Sequence, residues 1–210
     1  MNDWKLILKV IVGSALLLFV VIFGLSKIAD PTNTLKVEEA VLLDGARFVK
    51  ENGETKVTVV NFSDIECPSC KASHAETKEL INTPGVRYVL RFFPLVTIHQ
   101  KAEISAKAVE VARIMNKGWE MLDLMFDKQQ EWSSSSNPED LFVEYAKGIG
   151  LDEATFKEKL NSAEVAQNVQ IDAALAGSLR LSGTPTYFVN GEQVGSPFVV
   201  SKVKELLEQN

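Results

Sequence analysis

Cysteine is almost absent: two in 210 residues, Cys67 and Cys70, three positions apart. A chain so poor in sulfur has no disulfide scaffold, which reserves the pair for redox chemistry or a metal. Basic stripes are lacking as well. Net charge is −6, and residues 1–26 contribute +1 from Lys5 and Lys9 against Asp3, which leaves −7 on the rest. An acidic body without a basic face argues against nucleic acid as a partner. There is no internal repeat, and the one low-complexity patch is Ser133 to Ser136. From Val10 to Ser26 there is no charge at all.

That uncharged run, counted from Leu6 with Lys9 snorkelling to the headgroups, reaches the roughly 20 residues of a bilayer span. Lys5 and Lys9 ahead of it would keep the N-terminus inside and the body outside. Gly24-Leu25-Ser26 would suit signal-peptide cleavage, but the run exceeds the usual apolar stretch of about 7 to 15 residues. No cysteine follows it, so a lipoprotein is excluded. Residues 1–26 are therefore read as an N-terminal transmembrane helix, 27–44 as a tether, and 45–210 as the folded domain. At 46% hydrophobic and 24% charged residues the chain is globular in composition, and it is long enough for one core.

Within the domain, Arg47 to Lys50 suggests a short edge strand and Asn52-Gly53 a turn. Val57-Thr58-Val59-Val60-Asn61-Phe62 reads as a central strand that breaks at Ser63-Asp64. Cys67-Pro68-Ser69-Cys70 then opens a helix reaching about Asn82. With Cys67 at the N-cap and Pro68 at the first helical position, the Cys67 sulfur faces orphan N–H groups and the positive end of the helix dipole. Both favour an exposed thiolate at Cys67, with Cys70 held behind it within disulfide range. Val86 to Phe93 alternates apolar and polar until Pro94 stops it, a second strand parallel to the first. Residues from His99 to Gln130 are helical, with a break near Lys117-Gly118. Further helices open at Asn137 and Asp152, and Asn161-Ser162-Ala163-Glu164 suggests a variant capping box for another. Thr186 to Val189, the hairpin turn Asn190-Gly191, a return strand and an amphipathic helix from Ser201 close the chain.

The redox reading competes with a metal one, since Cys67, Cys70, His74 and His99 form a possible tetrahedral set. The two histidines lie in different elements at no finger-like spacing, so each reads as a surface or packing residue.

F-S-D-I-E-C-P-S-C resembles the active-site segment of the DsbA-like branch of the thioredoxin superfamily. Phe92-Phe93-Pro94-Leu95 with His99 after it, Tyr145-Ala146-Lys147 before Gly150-Leu151-Asp152, and Gly183-Thr184-Pro185-Thr186 extend the likeness over about residues 45–208. The resemblance implies an α/β thioredoxin-like fold with a helical insertion, about residues 97–182, between a βαβ half and a ββα half. It implies a thiol-disulfide oxidoreductase in which Cys67 forms the mixed disulfide and Cys70 resolves it. Pro68, Ser69, Thr184 and Pro185 would bind substrate, with Pro185 cis and Thr184 pairing with the client backbone. One departure is Asn61, where relatives carry a buried carboxylate that moves protons for the resolving cysteine. Water, Asp64 or Glu66 would take over, or the step would slow. Glu66 opposes the Cys67 thiolate, while Ser69 and Lys71 favour it.

No cofactor is implied, because the disulfide itself carries the electrons. Clients would be exported proteins with cysteine thiols, and a membrane redox partner would re-oxidise the pair outside the cytoplasm. Net oxidation of clients is the expected direction, since the short tether leaves no room for the dimerisation domain on which isomerases of this superfamily rely. A tethered reductase or isomerase, or a metal-binding module using Cys67 and Cys70, are the alternatives.

Overall fold

The computed structural model describes residues 34–209, together with Trp4 and Ser14. The membrane anchor expected over residues 1–26 falls, but for those two positions, outside the described residues. Among the described residues no helix is long and apolar enough to cross a membrane.

In chain order the elements are α1 (Glu39–Leu43), β1 (Phe48–Glu51), β2 (Val57–Ser63), α2 (Pro68–Thr77) with a 3-10 extension (Lys78–Asn82), and β3 (Val86–Phe92). Six helices follow: α3 (Ala102–Ile114), α4 (Gly118–Asp127), α5 (Gln129–Ser134), α6 (Pro138–Gly148), α7 (Glu153–Leu160) and α8 (Ala163–Ser178). The chain ends with β4 (Thr186–Val189), β5 (Glu192–Val194) and α9 (Val199–Gln209). The five strands form one sheet in the order β1-β3-β2-β4-β5. Only β2 and β3 are parallel, and α2 is the crossover between them.

All seven residues of β2 are buried, because both faces of the sheet are covered. Val57 and Val59 pack with Leu80, Val199 and Val203 on one face. Val60 and Phe62 pack with Leu42, Ala176 and Phe188 on the other. The insertion builds its own core around Trp132, Phe142, Phe156, Met121 and Met125, which also takes in Phe48, Phe92, Cys67 and Cys70. The cysteine pair thus lies at the seam between sheet and insertion.

From Lys36 onward the stretch expected as a tether over 27–44 is folded against the sheet. Lys36 bridges to Glu192, Val37 N–H donates to Gly191 O at 2.8 Å, and Leu42 of α1 is fully buried. The mixed charge around these positions hid two apolar anchors, Val37 and Leu42, that join the sheet's outer face.

The strand expected over Val86 to Phe93 is β3, but its alternation misleads at Arg91, which is fully buried. Its guanidinium donates to Asp172 Oδ1 at 2.8 Å and to the carbonyls of Leu42 and Asp44 at 2.8 and 2.6 Å. The charge therefore stays inside, bonded, between α8 and α1.

Helix starts follow capping chemistry. Asp152 accepts from Thr155 N–H at 2.9 Å and Ser162 from Val165 N–H at 3.3 Å. Asn137 holds the cap position without a side-chain cap bond; its amide donates to Asp140 instead. The break before α4 needs Gly118, where an added Cβ would lie 2.8 Å from Arg113 Cα and from Phe48 Cζ. Asn190 and Gly191 have φ of 47° and 80°, as the turn between β4 and β5 requires.

Candidate active site

The β2 strand delivers the chain to Asp64, a turn follows, and α2 begins. Cys67 is extended at the N-cap of α2, with Pro68 at the first helical position. Its carbonyl accepts from the N–H groups of Cys70 and Lys71, both at 3.1 Å, so the sulfur sits at the helix N-terminus. Both cysteines are free thiols. Cys67 is less exposed than expected, at 7% against 1% for Cys70, because the loop before β4 lies over it. There the Cys67 thiol donates to Thr184 O at 3.6 Å, and the Thr184–Pro185 peptide is cis. Pro68 and Ser69 are exposed beside the pair. Of the residues expected to form the site, Cys67, Cys70, Thr184 and Pro185 come together, and Pro68 and Ser69 lie on their rim.

The two thiols are pushed in opposite directions. The hydrogen bond from the Cys70 thiol is the largest influence on Cys67, whose pKa falls to about 5 against the opposing effect of burial. Burial chiefly, and then that same hydrogen bond, drives the Cys70 pKa far above the ordinary thiol range. Cys70 Sγ also accepts from the Asp64 N–H at 3.4 Å. One sulfur is poised as a nucleophile and leaving group while the other keeps its proton.

Residues that the motif does not name complete the site. Asp64 is 1% exposed. Its Oδ2 accepts from Leu95 N–H at 2.9 Å and from His99 Nδ1 at 2.7 Å, and its Oδ1 accepts from Glu66 N–H at 2.8 Å. Burial alone would lower the His99 pKa, but the Asp64 hydrogen bond and charge raise it above the ordinary value. Glu66 turns its carboxylate to the Lys101 N–H, at 2.6 Å. Gln129, from the insertion, donates to the carbonyls of Ile65 and Cys67 at 2.8 and 3.0 Å and so pins the turn that carries Cys67. Nothing local in the sequence marks Gln129. His99 could have been suspected from its place after Phe92-Phe93-Pro94-Leu95. Lys71, expected to favour the thiolate, instead donates to Asp127 O at 3.2 Å.

Under α2 lies a buried polar layer. Asn61 donates to Tyr88 OH at 3.1 Å, and its Oδ1 is buried without a protein partner. Tyr187 OH meets Ser73 Oγ at 2.9 Å and Thr77 Oγ1 at 3.2 Å. Where the family pattern would place a carboxylate, this chain has an amide and two phenols whose pKa values burial raises.

The four-residue metal set is not assembled. His74 Nε2 lies 2.5 Å from Asp123 Oδ1 and its ring stacks near Phe126, and His99 faces Asp64. Among the described residues no group of three or more His, Cys, Asp or Glu is placed to hold a metal.

A family profile described as thioredoxin matches residues 50–209, most of the chain. The chain belongs to the thioredoxin family. Among solved structures it is similar to BdbD from Bacillus subtilis in its oxidised form, with a TM-score of 0.66 and 26% identity over 80% of this chain and 93% of that one. A thioredoxin-like oxidoreductase from Silicibacter pomeroyi gives 0.66 and 26% over 82% and 97%. The thiol-disulfide exchange protein alpha-DsbA2 from Wolbachia pipientis gives 0.68 at 22%, over 82% and 91%, a likeness of fold. The DsbA-like resemblance read from the sequence is thus matched in architecture. Curated relatives include a protein named Na(+)/H(+) antiporter NhaA 3 from Salinispora tropica, 38% identical over 146 residues, or 69% of this chain. That match covers 22% of the relative, so the chain spans about a fifth of its length.

Proposed function

We propose that this thioredoxin-family chain is a thiol-disulfide oxidoreductase whose net direction is oxidation of client thiols. The carrying observation is the Cys67 sulfur at the α2 N-terminus, with Cys70 beneath it and the cis Thr184–Pro185 loop beside it. A client thiolate attacks Cys67 Sγ in the Cys67–Cys70 disulfide, and Cys70 leaves with the electron pair of the S–S bond and takes up a proton from solvent, where the client thiol released one. A second client thiolate then attacks the client sulfur of the mixed disulfide, and Cys67 leaves as thiolate. The client loses two electrons and the cysteine pair gains them.

Direction follows from the thiol chemistry. A Cys67 pKa near 5 stabilises the reduced form, and a stabilised reduced form is an oxidant. The expected potential lies between about −270 and −120 mV, nearer the upper figure. Thr184 and Pro185 would offer backbone groups to an extended client. Val96 and Ile98, at 56% and 69% exposure, put apolar surface on the loop that carries His99, suited to non-native chains. Clients in this reading are exported proteins with free thiols, held outside the cytoplasm near a membrane partner that re-oxidises the pair. Anchoring through residues 6–26 belongs to the same proposal.

Two measurements test it. Cys70→Ser, which keeps Cys67, should alkylate rapidly with iodoacetamide at pH 6, and Cys67→Ser should alkylate slowly; equal rates would undo the assignment. Equilibration of the wild type against glutathione buffers gives the potential, and a value at or below about −270 mV would replace the oxidase reading with a reductase.

A further inference from the structure

The segment from Leu95 to Lys101 is fastened to the turn that precedes Cys67 by three donors. Leu95 N–H and His99 Nδ1 both reach Asp64 Oδ2, at 2.9 and 2.7 Å, and Lys101 N–H reaches Glu66 Oε2 at 2.6 Å. Asp64 is buried and keeps a further bond to Glu66 N–H, so its carboxylate is fixed between the imidazole and the active-site turn. The same residue touches the cysteine pair directly, since its N–H donates to Cys70 Sγ. The His99 ring retains 18% exposure on the solvent side of this arrangement.

We propose that His99, held by Asp64, is the positive partner of the Cys67 thiolate, so that the redox state of the cysteine pair and the protonation of His99 are coupled. This rests on the exchange function proposed above and names a positioning residue for it. When Cys67 leaves the mixed disulfide, its sulfur takes the electron pair of the broken S–S bond and becomes an anion. The proton stays on His99, and no transfer is needed; the imidazolium offsets the new charge at Cys67, and Asp64 keeps the imidazole protonated and aimed.

The titratable groups facing His99 are few. From the turn before α2 they are Asp64, Glu66 and Cys67, all of which favour the protonated ring. Lys101, two residues on, directs its ammonium to the Ser133 carbonyl of α5. Gln129, the α5 side chain that enters this turn, is neutral. The charges around the ring are therefore negative, and forming the thiolate adds one more.

Coupling of this kind is reciprocal, which provides a test in the unaltered protein. The chain has two histidines, so NMR titration resolves His99 from His74. The His99 pKa is expected to fall when the reduced protein is oxidised to the Cys67–Cys70 disulfide. In the reduced protein, thiolate absorbance at 240 nm should show the Cys67 pKa rising by about 1 unit in His99→Gln. In His99→Lys, which keeps a positive charge, the pKa should stay near that of the wild type. A His99 titration that ignores the redox state, with an unmoved Cys67 titration in His99→Gln, would overturn the inference while the wild type still exchanges disulfides. Failure of the wild type to exchange disulfides at all would remove the function and this inference with it.

Discussion

Tyr187 shows how a single hydroxyl holds the layer beneath the cysteine pair. Its OH is shared with Ser73 and Thr77, and all three residues are buried. Burial raises the phenol pKa, so the group remains a neutral donor and acceptor across the working range. Thr77 Oγ1 also donates to Ser73 O at 2.9 Å, so Tyr187→Phe leaves the buried Ser73 hydroxyl short of a partner, which costs about 1 to 3 kcal/mol. The urea midpoint is expected to drop accordingly, and an unchanged midpoint would mean that Ser73 satisfies itself on the α2 backbone as Thr77 does. Residues of this kind mark the limit of what the sequence discloses. Cys67, Cys70, Thr184 and Pro185 were legible because motif spacing and family pattern name them. Asn61 was legible as a departure, but not its link to Tyr88, 27 positions away. Asp64 and His99 lie 35 positions apart and meet only because the loop after β3 folds back over the turn after β2. No periodicity carries that information.

Helix α8 reaches the sheet through a charged contact. Asp172 accepts from Arg91 at 2.8 Å, from Arg47 at 3.2 Å and from the Phe92 N–H at 3.2 Å, with 5% of its side chain exposed. The pair itself contributes little net stability, since desolvation of both charges offsets their attraction. Removing one member is different, because it strands the other. Asp172→Ala leaves the Arg91 guanidinium buried with carbonyl partners alone, and a loss of about 3 to 5 kcal/mol is expected in denaturant unfolding. A loss below about 1 kcal/mol would show that the carbonyls of Leu42 and Asp44 suffice. The elements themselves were largely legible, because their signals are local: Pro68 and Pro138 at first helical positions, Asp152 as a cap, Asn190-Gly191 as a turn, while the box expected from Asn161 starts α8 one position early, its cap being Ser162. The face of β3 was not. Alternation marks Arg91 as outward, and only the arrival of α8, with Asp172 81 positions away, makes an inward arginine tolerable.

At the scale of the folded domain, the insertion and the sheet share the cysteine pair, so the redox state should register in the stability of the whole. The sign follows from the Cys67 pKa. In the folded reduced protein it lies near 5, against about 9 for an ordinary thiol. Between those values the unfolded chain binds more protons at Cys67 than the fold does, so the stability of the reduced form rises with pH, by at most about 1.4 kcal/mol per unit. The gain is complete above about 9 and is lost as pH falls through about 5. Cys70 stays protonated in the fold through this window and adds no gain there. The His99–Asp64 pair has the opposite sign, since a raised histidine stabilises at low pH and fades as pH rises through its folded value. That contribution is present in both redox forms, and the difference between them isolates most of the Cys67 term. Urea unfolding of reduced and oxidised protein at pH 4.5 and 7.5 is therefore expected to show a reduced-minus-oxidised gap that widens at the higher pH. The Cys67→Ser and Cys70→Ser proteins, neither of which can close the disulfide, supply the controls: the first should lose the rise in stability between about pH 5 and 9 that Cys67 contributes, and the second should retain part of it. A gap that is equal at both pH values would mean that the thiolate is not stabilised by the fold, and the oxidising direction would lose its physical basis.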